Sequence, residues 1–170
     1  MVIERLAQSS DAMPNLAADS ASQSARLGVQ VSGELWLIRL EDAAEVVAPG
    51  AVTPVPLTRP WFRGLTNIRG NLYSVIDLSA FLGGRPTASS ADTRLVMIND
   101  RYHVSAGLLV ERMLGLRTMQ QLQPLPVVEA DLDPERPWIS SRYQDPEGRN
   151  WREIGMTELV YHNDFLNVGL

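Results

Sequence analysis

Residues 62–83, Phe-Arg-Gly-Leu-Thr-Asn-Ile-Arg-Gly-Asn-Leu-Tyr-Ser-Val-Ile-Asp-Leu-Ser-Ala-Phe-Leu-Gly, constrain the fold more than any other part of the chain. Two short apolar runs, 64–68 and 72–76, flank Arg69-Gly70-Asn71, a pattern that predicts a β-hairpin. Gly70 takes a positive φ at no steric cost, and Asn71 tolerates one better than most residues. Asp77 is placed to cap a short helix whose Leu78, Phe81 and Leu82 face inward and which Gly83 ends. The reversal therefore sets one arginine on a stiff loop between two apolar strands. Such a loop suits the display of a charge to another molecule better than it suits catalysis.

The rest of the chain repeats this grammar of short strands and turns. Residues 27–31 alternate, Ser32-Gly33 is a turn signal, and 35–40 reads as a second strand. Residues 52–55 are confined by prolines and predict a short edge strand. Residues 93–98 and 103–110 predict a hairpin across Asn99-Asp100-Arg101. Further strands are expected at 117–122, 138–143 and 150–154, and a helix at 156–162. Many short strands with few helical pieces indicate a mainly β, barrel-like architecture. An internal repeat runs through it: Leu40-Glu41 and Pro54-Val-Pro56 recur, 70 positions on, as Val110-Glu111 and Pro124-Leu-Pro126. Pro60-Trp61 then matches Pro137-Trp138, and 70–76 matches 148–154. The order of these matches predicts two related lobes. The second lobe has a polar loop, 144–150, where the first has its arginine turn.

A chain of 170 residues fits one domain that buries roughly 70% of its unfolded surface. The net charge of −5 argues against nucleic-acid binding, although Arg63 and Arg69 make a local basic spot. With no cysteine there is no disulfide, thiolate metal site or cysteine nucleophile. The longest uncharged run, 46–58, is broken by Pro49, Pro54 and Pro56 and does not span a bilayer. No apolar signal-peptide core is present at the start. Residues 1–25, rich in Ala, Ser, Asp and Gln, read as a flexible tail ahead of a single domain at 26–168.

The run Asn67-Ile68-Arg69-Gly70 followed by Tyr73-Ser74-Val75-Ile76-Asp77-Leu78 resembles the central motif of the CheW family of chemotaxis coupling proteins. The likeness is specific over 64–83 and looser, but consistent in order, from about 26 to 168. With Phe62-Arg63-Gly64 upstream, it is most similar to the branch that serves type IV pilus twitching motility. The resemblance implies a CheW-like domain of two five-stranded β-barrel lobes around a shared hydrophobic core. It implies a non-enzymatic, cytoplasmic scaffold that binds no cofactor or metal and does not insert in the membrane. Its implied partners are the regulatory domain of a CheA-type histidine kinase and the cytoplasmic tip of a methyl-accepting chemoreceptor.

Arg69 is the leading candidate for receptor coupling, with Asn67, Ile68 and Gly70 shaping its turn. A guanidinium on a rigid hairpin bonds a carboxylate bidentately at low entropic cost. Asn67 is placed to bond across the turn and stiffen it. Trp61, Arg63, Val46 and Val47 are candidate interface residues, the valines as lining of a groove between the lobes and Trp61 as a hot spot or a barrel plug. Trp36 is expected in the core. The two histidines are not in metal-ligand spacing: His103 is expected in a strand and His162 at a helix end. Glu41-Asp42 and Asp131 with Asp133 read as solvated faces. The glycines of 64–70 lack the Lys-Ser/Thr of a phosphate loop, and no Gly-x-Ser-x-Gly elbow occurs. Two other readings stand beside the scaffold: a ligand-binding barrel with a site between the lobes, and a structural oligomer subunit.

Overall fold

The strands that read as continuous apolar runs do so because both of their faces are buried. In Glu34–Arg39 (β2), Trp36 and Ile38 point into a large core, while Leu37 points the other way, onto Leu122, Tyr143 and Trp151. The same split occurs in Arg94–Ile98 (β6) and Ala106–Val110 (β7). There Val96, Ile98, Leu108 and Val110 enter the large core, while Leu95, Met97 and Leu109 join Val75 in a separate small cluster. One shared core thus lies between two sheets, and each sheet wraps a small core of its own.

The computed structural model describes residues 24–129 and 132–170. Most of the expected tail, 1–25, and Asp131 lie outside them. The remaining elements are Ala25–Val31 (β1), Ala43–Val47 (β3), Phe62–Ile68 (β4), Asn71–Asp77 (β5), Leu78–Phe81 (α1), Arg112–Thr118 (β8) and Gln123–Leu125 (β9). Ile139–Gln144 (β10), Asn150–Ile154 (β11), Met156–Val160 (α2) and Asn163–Leu166 (α3) complete the chain. One sheet runs β8-β1-β2-β11-β10-β9 and the other β3-β6-β7-β5-β4. The first therefore has six strands where five were expected, the extra one being the three-residue β9.

Apart from β9, the two sheets have the same order and the same pairing senses, parallel only at β2–β11 and β5–β7. The internal repeat is thus real, and it is intertwined. The hairpin that opens each half (β1–β2, β6–β7) inserts into the sheet completed by the other half. Matching hydrogen bonds mark the equivalence: Asp77 N–H donates to the Trp61 carbonyl (2.8 Å) as Gly155 N–H does to Trp138 (2.6 Å).

Several expectations need correction. Residues 52–55 form only a single bridge, Thr53 to Leu65, because Pro54 and Pro56 have no N–H to extend it. Residues 119–121 form a 3-10 turn between β8 and β9, so no strand runs from 117 to 122. His103 is not in a strand; at φ 55 it closes the 3-10 turn Asp100–Tyr102. His162 does not end a helix but caps α3, its Nδ1 accepting from Asp164 N–H at 3.2 Å. Asp42 is not solvated. It is buried, accepts from Tyr102 Oη at 2.5 Å and pairs with Arg101. Trp36 is buried as expected.

Candidate functional site

The β4–β5 hairpin closes in two residues, with Ile68 paired to Asn71. Both loop positions lie in the left-handed region, Arg69 at φ 50 and Gly70 at φ 87. The second positive φ therefore falls on Arg69 and not on Asn71. This is the turn geometry that matches strand twist. Arginine there carries the strain that glycine avoids, and the side chain of Asn67 holds the turn by accepting from Gly70 N–H at 2.9 Å. Ile68 is half buried against Tyr73 and the small core beneath. Leu72, opposite Asn67, stands 61% exposed beside the turn.

The Arg69 side chain is 70% exposed and pairs with Glu45 of β3. Since β3 and β4 are the outer strands of their sheet, this pair joins the sheet's two open edges. An exposed pair of this kind contributes about 0–1 kcal/mol, so a partner carboxylate can replace Glu45 at little cost. Glu45 was not singled out from the sequence. Only closure of the sheet brings it to Arg69, 24 positions away.

The other candidates lie elsewhere. Val46 packs on the shared core and Val47 on the small core of its own sheet, each half buried. Arg63 and Trp61 are at the far end of β4, with Trp61 about 25 Å from Arg69 by strand rise. Trp61 is half buried, edge-on to Phe81 at 5.1 Å between ring centres. Arg63 donates to Asp77 at 3.1 Å. Asp77 is much more than a helix cap. Fully buried, it accepts from Ala80 N–H and from both the N–H and hydroxyl of Thr87, besides Arg63. Its loss would strand several buried donors, a cost of about 3 kcal/mol against about 1 for a cap alone.

The polar loop of the second lobe is built on Asp145. That carboxylate accepts from the indole N–H of Trp151 (2.9 Å), the guanidinium of Arg149 (2.8 Å) and the backbone N–H groups of Glu147 and Arg149. Burial pushes its pKa up, but these hydrogen bonds outweigh it and hold the group at about 2. A second buried ionic group, also not anticipated, joins Glu153 to Arg26 (2.5 Å) and Arg39 (3.2 Å) across β11, β1 and β2.

Between the lobes the space is filled by side chains. A surface cleft of about 480 Å³ opens where the sheets meet, lined by Gln30, Ser32, Ser79, Arg85, Glu111 and Arg112 among others. Among the described residues no cluster of His, Asp or Glu is arranged to hold a metal, and no helix is long and apolar enough to cross a membrane.

The family model for the CheW-like domain matches residues 26–162. The chain is 27% identical over 147 residues to Protein PilI of Pseudomonas aeruginosa, covering 85% of this chain and 79% of that protein. It is 34% identical over 95 residues to Protein FrzA of Myxococcus xanthus, covering 55% and 59% respectively. Among solved structures, the scaffolding protein TtCheW from Thermoanaerobacter tengcongensis aligns with a TM-score of 0.66. That match covers 84% of this chain and 95% of TtCheW at 22% identity, a likeness of fold.

Proposed function

The chain belongs to the CheW-like domain family, whose members are scaffolds of chemotaxis-type systems, and from that premise we propose that it couples a receptor to a kinase. The receptor is a methyl-accepting chemoreceptor, docking its helical cytoplasmic tip against the Arg69 turn. The kinase is of CheA type and docks its regulatory domain on a separate, largely apolar surface. The chain works by docking and not by catalysis, on the cytoplasmic side of membrane-borne receptor arrays. Its likeness to PilI favours type IV pilus twitching motility as the output.

One observation carries this reading: a largely exposed guanidinium sits on a rigid two-residue turn, restrained by a single exchangeable carboxylate. Such a group is preorganised for a partner's carboxylate or carbonyls. Titration calorimetry with the regulatory domain of the CheA-type kinase from the same cell tests it. Saturable one-to-one binding, unchanged by Arg69→Glu, is expected. No heat of binding between two folded proteins would overturn the reading and move a ligand site at the 480 Å³ cleft to the front.

A further inference from the structure

Leu57 sits where a leucine gains nothing from its own chain. In the turn Val55-Pro56-Leu57-Thr58, proline precedes a residue at φ 59, the pattern of a type II turn, whose third position glycine or asparagine fills without strain. Leu57 is nevertheless there, and it is 80% exposed. The strain is held in place both from residues 168–170 and from within the turn. Leu170 N–H donates to the Leu57 carbonyl (3.0 Å), Arg59 N–H to the Val168 carbonyl (2.7 Å), and the Thr58 hydroxyl to Val55 (2.8 Å). Leu170 is 79% exposed beside it, and Leu166, at the end of α3, 53%.

A hole lies next to it, walled in part by Arg59, two residues on. A pocket of about 190 Å³, room for one aliphatic side chain, is lined by Arg59, Trp61, Phe81, Trp138 and Asp164. Its wall is aromatic, and it has one charge of each sign. Among the described residues Arg59 and Asp164 do not pair within the chain, the Asp164 carboxylate having only His162 nearby, at 3.8 Å.

We infer that this face is a self-association surface, in which Leu57 of one copy fills the aromatic pocket of a second. Arg59 lines the hole and lies two residues from the Leu57 knob, so a two-fold axis beside them can satisfy both contacts at once, as an isologous interface requires. The same axis sets Arg59 of each copy beside Asp164 of the other. That charge complementarity, with the exposed leucines around it, identifies the occupant as another copy of this chain. Because β4 separates this face from Arg69, a dimer leaves both arginine turns free and presents them bivalently. The inference stands independently of what the Arg69 turn binds.

Sedimentation velocity of the full chain over a wide concentration range tests it. The wild type is expected to shift from monomer to dimer. Leu57→Gly is expected to stay monomeric while its thermal midpoint holds or rises, because glycine relieves the positive φ. Asp164→Arg should weaken dimerisation by more than about tenfold, a loss of about 1.4 kcal/mol, and adding Arg59→Asp should restore it. A wild type monomeric at every concentration, a dimer unaffected by Leu57→Gly, or a double variant no tighter than Asp164→Arg alone overturns the inference.

Discussion

Arg69 does two things at once: it closes the sheet onto Glu45 and offers the rest of its guanidinium to solvent. Substitution has to separate these roles. Arg69→Glu sets two carboxylates together at an exposed site and is expected to lower stability by no more than about 1 kcal/mol, read from denaturant unfolding. Adding Glu45→Arg restores the internal pair with its charges exchanged. Stability should then recover while receptor binding does not. Recovery of both would mean that the pair matters only for the fold. Asp145 makes a prediction about acid. Its folded pKa, about 2, lies below its ordinary value of 3.8, so the stability it contributes is complete above pH 4 and is lost as pH falls toward 2. Wild-type unfolding midpoints should therefore drop more steeply over that range than those of Asp145→Asn. Parallel profiles would remove Asp145 from the acid response.

At the scale of the element, the β4–β5 hairpin was legible because each part of it follows a local rule: apolar runs, a glycine turn, a capping aspartate. Wherever the outcome depends on residues far apart in sequence, the sequence was silent or misleading. Glu41-Asp42 reads as a charged surface, yet Asp42 is drawn in by Tyr102 and Arg101, some 60 positions away. Glu153 and Glu45 likewise acquire their partners only when the sheets form. The stretch 52–55 reads as an edge strand limited by prolines, but what fixes it is Gly64 on β4. At φ 131, that glycine lets the Thr53 carbonyl approach to where a side chain would sit, 2.1 Å from an added Cβ. Gly64→Ala is therefore expected to cost about 2–3 kcal/mol, seen as a lowered thermal midpoint. A variant as stable as wild type would mean that the loop before β4 is free to move aside.

For the whole molecule, the repeat seen in sequence predicted two lobes, but not that each half lends its first hairpin to the other. Exchange of that kind joins the lobes into one body over a shared core. Residues near the Arg69 turn and those near Trp61 then lie at opposite ends of one strand, far enough apart for separate contacts. The most direct test of the coupling role is a three-component sedimentation with membranes bearing the chemoreceptor, the CheA-type kinase and this chain. The kinase is expected to pellet with the membranes only when the chain is added. With Arg69→Glu it should stay in the supernatant, although that variant still binds the kinase. Kinase that pellets equally without the chain, or that fails to pellet when every component is folded, would contradict the proposal that this protein joins the two.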